Sequence, residues 1–192
     1  MINNMSQLIK TYDNVLPSDV LEKCVAYARS NVNDGLLTRI EQGNWQDKST
    51  LYAGSLNKID GTLSKKLGDL IITCFETYRE EVKQAQFIGA TGLKDFNIKR
   101  YIKGDSFSLH CDNTTLDTST RAVGILIYLN EDSGTRFPFN DITIDAKTGR
   151  VLIFPPYWTH PHEGLPAIKE KLIITSYLHL YKNGMNWENE QY

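Results

Sequence analysis

Two hydrophobic rhythms divide the chain. In the first part, apolar residues recur at helical spacing. Val20, Leu21, Cys24, Val25 and Ala28 fall on one face of a helix running to about residue 31. Ser18 or Asp19 can cap it, and Glu22 stands where a capping box wants its second member. Leu63, Leu67, Leu70, Ile71, Cys74, Phe75, Tyr78 and Val82 mark a second, clearer helix, with Thr62 as its N-cap. Residues 12–17 read as a short strand and turn. Residues 34–60 are rich in Gly, Asn, Asp, Ser and Thr and read as strands joined by mobile loops, with Trp45 among polar neighbours.

From Phe96 the rhythm becomes that of strands. Segments 97–101, 106–110, 121–129, 135–139, 141–144, 150–154 and 171–180 are rich in β-branched and aromatic residues. Turn signals separate them at 103–105, 130–134, 147–149 and Pro155-Pro156. Many short strands with close turns predict a sandwich or barrel. With two helices laid on one sheet, the expected class is α+β: a double-stranded β-helix, or jelly roll, with N-terminal helices packed on one sheet. The length of 192 residues suits one domain, with a helix-rich lead-in over 1–95 and a core over about 96–180.

Charge narrows the classes of partner. The 21 basic and 23 acidic residues give a net charge of −2 with no long block of one sign, which argues against charge-driven binding to DNA or RNA. The N-terminal residues lack the basic and apolar regions of a signal peptide, and the longest apolar stretch, 122–129, is too short to span a membrane. Cys24, Cys74 and Cys111 form neither a disulfide framework nor a zinc knuckle, so the expected setting is the reducing cytoplasm.

The chain has four histidines, and three lie in two tight contexts. His110 and Asp112 are two apart, so in an extended segment they point to the same side. His160 and His162 follow some fifty residues later, and either could bring a second imidazole to the first pair. Two imidazoles and one carboxylate on one face leave coordination positions open, the arrangement of non-haem Fe(II) oxygenases, with zinc as the competing ion. Lys171 opens the last strand nine residues after His162, and Thr175 is four further on, on the same face. Behind a metal site, this lysine could pair with the distal carboxylate of a dicarboxylic acid. Tyr101 and Tyr128 could add hydrogen bonds from neighbouring strands.

The run from His162 to Tyr177 (HEGLPAIKEKLIITSY) resembles the C-terminal motif of 2-oxoglutarate-dependent prolyl 4-hydroxylases, above all those acting on hypoxia-inducible transcription factors. Tyr101 with His110, Asp112 and Asn113 resembles that family's upstream motif, and the stretch from Arg121 to Asn130 resembles its next strand. The opening DNVLP is similar to small microbial and phage members. The resemblance implies that His110, Asp112 and His162 ligate Fe(II), with His162 rather than His160 as the second imidazole. It implies that Lys171 pairs with the far carboxylate of 2-oxoglutarate, and that Tyr128, Thr175 and Tyr101 line the cosubstrate pocket. Arg121, Tyr177 and Trp45 are the candidate substrate contacts. Two positions depart from the hypoxia-sensing type: Lys171 replaces Arg, giving a point charge rather than a fork, and Tyr177 replaces Trp. Asp112 argues for hydroxylation over halogenation. The implied activity is O₂-dependent hydroxylation, most simply of proline in a peptide or protein, coupled to decarboxylation of 2-oxoglutarate to succinate and CO₂, with ascorbate as candidate reductant. A free amino acid or other small molecule is the alternative substrate, and a non-catalytic metal-binding jelly roll the alternative class.

Overall fold

The computed structural model describes residues 5–30, 37–42, 49–89 and 91–181. Its centre is a seven-stranded antiparallel sheet in the order β1-β9-β6-β11-β4-β3-β2. These strands are β1 (Lys10–Tyr12), β2 (Thr38–Gln42), β3 (Ser49–Ser55), β4 (Thr91–Ile102), β6 (Arg121–Tyr128), β9 (Val151–Phe154) and β11 (Glu170–Leu180). A four-stranded sheet faces it in the order β5-β10-β7-β8: β5 (Phe107–His110), β7 (Thr135–Phe137), β8 (Ile142–Ile144) and β10 (His162–Gly164). Helices α1 (Ser18–Ser30) and α3 (Gly61–Glu81), joined to the sheet by the one-turn α2 (Leu56–Ile59), cover the outer face of the larger sheet. This is the expected α+β jelly roll. Among the described residues no helix is long and apolar enough to cross a membrane.

The helices follow their apolar stripes. Val20, Cys24 and Ala28 are buried from α1, and Leu63, Leu67, Ile71, Phe75 and Tyr78 from α3. Their starts differ from expectation. Helix α1 begins at Ser18 itself, because the carbonyl of Pro17 accepts from the amides of Val20 and Leu21. Asp19 instead pairs with Lys66 of α3 at 2.7 Å. On α3 the cap is Asp60 rather than Thr62. Its carboxylate accepts from the amide of Leu63 at 2.9 Å, and the intervening Gly61 and Thr62 become the first helical turn.

Strand alternation sorts the centre of the sheet into two layers. On β11, Leu172, Ile174 and Leu178 meet the helices, while Lys171, Ile173, Thr175 and Tyr177 face the smaller sheet. On β6, Val123, Ile125 and Ile127 lie in the helix-side core and Leu126 and Tyr128 in the inter-sheet core. Strand β9 divides likewise, with Val151 and Ile153 on one side and Leu152 and Phe154 on the other. Strands β6 and β11 are buried on both faces, and β6 reads as an almost continuous apolar run.

Segment 34–60 supplies β2, β3 and α2 in its described part. The expected mobile loops at 34–36 and 43–48 lie outside the described residues, and so does Trp45. The turns at 103–105 and 147–149 form where expected, with Gly104 and Gly149 at φ +86° and +75°, the left-handed region glycine enters without steric cost. Strand β10 had no counterpart in the sequence pattern, since three residues are too few to show alternation.

Candidate metal centre and pocket

Strand pairing brings the two histidine contexts together. In the β5–β10 ladder His162 lies directly opposite His110, and their ring centroids are 4.4 Å apart. Asp112 follows β5 by two residues. The amides of Asp112 and Asn113 both donate to the carbonyl of Pro156, at 3.1 and 3.0 Å, which ties this turn to the loop leading into β10. Donor atoms of His110, Asp112 and His162 all lie within 4.8 Å of one another.

Each imidazole is oriented from behind. Nδ1 of His110 lies 2.8 Å from the carbonyl of Ser108, and Nδ1 of His162 lies 3.2 Å from the carbonyl of His160. A carbonyl only accepts, so both Nδ1 atoms carry a proton, and Nε2 is the atom each ring can offer a metal. Those Nε2 atoms point at Asp112, at 3.3 Å from Oδ1 and 3.4 Å from Oδ2. Backbone support that fixes the tautomer is how metal-binding histidines are held.

The electrostatics fit the same use. Burial pushes the pKa of His162 down to about 4, against the opposing pull of Asp112, so the ring is neutral near pH 7 and sheds no proton to ligate. Burial pushes Asp112 upward, but the two imidazoles that face it and the hydrogen bond from the Tyr177 hydroxyl outweigh it and hold the carboxyl well below the usual carboxylate range. Three convergent donors, one of them an anionic carboxylate, suit a divalent first-row metal with open positions.

His160 is fully buried and turned the other way. Its Nδ1 meets the hydroxyl of Thr159 at 2.8 Å and its Nε2 the carbonyl of Met5 at 3.0 Å. What it offers the triad is its backbone carbonyl.

The pocket runs inward from the triad between the two sheets to Lys171. This lysine is 2 % exposed. Its Nζ donates to the carbonyl of Leu165 at 2.5 Å and to Ser133 Oγ at 3.2 Å, and lies 4.7 Å from the centroid of the Tyr101 ring. Burial lowers its pKa to about 8, partly countered by Asp132. The Tyr128 hydroxyl donates to Thr135 Oγ1 at 2.7 Å beside it, and Thr175 lines the same wall. The pocket thus joins the triad to the buried ammonium of Lys171 and a set of hydroxyls.

Of the expected substrate contacts, Arg121 and Tyr177 both act on Asp112. The Tyr177 hydroxyl donates to Asp112 Oδ1 at 2.8 Å. Arg121 Nη1 donates to the Asp112 carbonyl at 2.8 Å, and its guanidinium lies 3.9 Å from the centroid of the Tyr177 ring. Both also border the outer depression that leads to the triad.

The sequence reading did not single out Ser133, Thr135, Phe107, Phe154 or Lys99. Ser133 sits in a segment that reads only as a turn, Thr135 opens a segment that reads only as a strand, and Phe154 reads as plain core. Lys99 was within reach, because it lies two residues before Tyr101 and must share its face.

Residues 96–179 match the family model described as the 2OG-Fe(II) oxygenase superfamily. Comparison with curated protein sequences finds no match. Among solved structures, the chain is similar to a prolyl 4-hydroxylase from Pseudomonas putida, with TM-score 0.69 and 21% identity over 91% of this chain and 94% of that one. It is also similar to a prolyl hydroxylase from Trichoplax adhaerens in complex with a hypoxia-inducible factor peptide fragment, with TM-score 0.69 and 18% identity over 91% and 84%. A third is the viral collagen prolyl hydroxylase of Paramecium bursaria Chlorella virus-1, solved with 2-oxoglutarate, with TM-score 0.62 and 18% identity over 91% and 97%. Residues 96–179, which contain the whole triad and Lys171, thus match the 2OG-Fe(II) oxygenase model, and the chain has the fold of these prolyl 4-hydroxylase structures.

Proposed function

We propose that this protein is an Fe(II)- and 2-oxoglutarate-dependent hydroxylase acting on proline in a peptide or protein. The observation that supports this reading is the pairing, in one pocket, of the His110–Asp112–His162 triad with the buried ammonium of Lys171. A simple metal-binding module has no use for such a cation. A dicarboxylate cosubstrate, anchored at one end by metal and at the other by charge, uses both.

In this account His110, Asp112 and His162 hold the iron. Iron bound there would supply the activation of O₂, with 2-oxoglutarate leaving as succinate and CO₂ and one oxygen atom entering the substrate C–H bond. The chain's own residues do the rest. Lys171 exchanges the Leu165 carbonyl for the distal carboxylate of 2-oxoglutarate, a charge-assisted bond in a dry site. Tyr128, Thr135 and Thr175 supply hydroxyls around it. Tyr177 and Arg121 hold Asp112 from its side-chain and main-chain ends, which orients the carboxylate that would ligate a bound iron. Phe107, Phe137 and Phe154 pack around the imidazoles and keep water from the inner pocket.

The test is an anaerobic incubation with Fe(II), 2-oxoglutarate and a proline-containing peptide, followed by O₂. The expected products are succinate and a peptide heavier by one oxygen atom, both dependent on iron. Succinate that rises with a small amine or free amino acid but never with a peptide would replace the peptide reading by a small-molecule one.

A further inference from the structure

Strand β4 brings a second lysine to this pocket. Phe96 and Ile98 lie in the helix-side core, so Asn97, Lys99 and Tyr101 face the smaller sheet. Tyr101 sits at the inner end, beneath Lys171. Lys99 lies nearer the mouth and lines both the inner pocket and the outer depression. Its Nζ is 4.9 Å from the centroid of the Phe107 ring. Among the described residues it makes no hydrogen bond and no salt bridge.

That is an unusual position for an ammonium group. Burial disfavours its charge, Asp112 is the acid that favours it, and Arg121 opposes it as a like charge. Asp112 is already engaged by Tyr177 and faces both imidazoles, and in the proposed function its charge belongs to the metal. The contrast with Lys171 is direct. Lys171 has a carbonyl and a hydroxyl to donate to, whereas Lys99 has a ring face below and an open groove beside it. A half-buried cation on an aromatic face, with no counter-ion of its own, is a site for an incoming anion.

Resting on the oxygenase reading, we propose that Lys99 is a specificity-determining residue whose ammonium receives a carboxylate of the primary substrate at the mouth of the pocket. One point charge beside an already committed guanidinium suits a monoanion. That carboxylate is either an acidic side chain next to the target residue of a peptide or the α-carboxylate of a free amino acid.

The experiment uses the full chain loaded anaerobically with Fe(II) and 2-oxoglutarate. Two peptides that differ only in Asp or Asn beside a proline are compared, with free proline and its amide as a second pair. Equilibrium binding is read by calorimetry, and KM and kcat by succinate release after O₂ is admitted. The acidic member of one pair is expected to bind about tenfold more tightly, with the difference in KM rather than kcat, as one charge-assisted hydrogen bond would give. Lys99→Met is expected to abolish that ratio, Lys99→Arg to keep it, and Lys99→Glu to turn preference toward a Lys-flanked peptide. A ratio in the peptide pair assigns the carboxylate to a side chain, and a ratio in the proline pair to the α-carboxylate. Equal binding within both pairs, unchanged in Lys99→Met, would overturn the inference and leave Lys99 as packing on Phe107. Absence of succinate from every substrate would instead overturn the oxygenase reading, and the binding ratios would still decide the role of Lys99.

Discussion

The two faces of the larger sheet carry opposite kinds of side chain on the same strands. Toward the helices, Ile98, Ile125, Ile127, Leu172 and Ile174 join Leu67 and Ile71 in a predominantly apolar layer. Toward the smaller sheet, the intervening positions hold Lys99, Tyr101, Tyr128, Lys171, Thr175 and Tyr177. The first face stabilises: each fully buried Leu or Ile contributes on the order of 1.5–3 kcal/mol. The second costs stability, since a buried ammonium and a buried carboxylate must be held by hydrogen bonds that barely repay their desolvation. Strand period 2 lets one strand do both, so the helix-side layer carries the burden of folding and the inter-sheet layer is free to be polar.

That division can be broken at either face. The largest expected effect is on activity. Asp112→Ala or His162→Ala should reduce iron-dependent succinate formation at least about a hundredfold, more than the loss of a supporting hydrogen bond would. The same substitutions should leave the denaturation midpoint nearly unchanged, and an unfolded variant would sink the claim that the two faces are separable. On the other face, Ile71→Ala should destabilise by about 2–5 kcal/mol, read by chemical denaturation. Its affinity for iron should stay that of the wild type wherever it remains folded.

Lys171→Met is the sharper test of the comparison. It should raise KM for 2-oxoglutarate about 10- to 100-fold, the worth of a charge-assisted bond, while stability holds or rises because a desolvated cation has gone. The same lysine predicts a pH dependence. Burial lowers its pKa to about 8, so the ammonium is present below that pH and lost as pH rises through it. KM for 2-oxoglutarate should therefore climb above about pH 8 in the wild type and stay flat in Lys171→Met. The smallest effect is expected far from the pocket. Asp60→Ala removes the α3 cap and should cost about 1 kcal/mol with no change in KM.

Much of this was legible in the sequence because the strands obey period 2. The spacing of Leu63, Leu67 and Ile71 gave α3, and the apolar run at 122–129 gave a strand, which the structure buries on both faces. The pair His110 and Asp112 was readable as a same-side set, and the structure brings His162 to it. The choice of His162 over His160 came from the resemblance of the motif around it and not from strand periodicity. Its structural cause is β10, whose three residues pair with β5 and so point His162 inward while His160 turns to Met5. The Lys171 support was equally hidden. Asp132 accepts from the amides of Ser133, Ile168, Lys169 and Glu170, and so joins two loops far apart in sequence just where Lys171 begins its strand. The α3 cap was misplaced because Asp60 and Thr62 are both good caps, and the short α2 ahead of the helix decides between them.

The most direct measurement is an anaerobic titration of Fe(II), then 2-oxoglutarate, into wild type, His162→Ala, His160→Ala and Lys171→Met, read by calorimetry. The account predicts one iron per chain and 2-oxoglutarate binding that requires the iron. His162→Ala should lose both, His160→Ala should keep both as long as it folds, and Lys171→Met should keep iron but weaken 2-oxoglutarate. Full iron binding by His162→Ala, or 2-oxoglutarate affinity indifferent to Lys171, would contradict it.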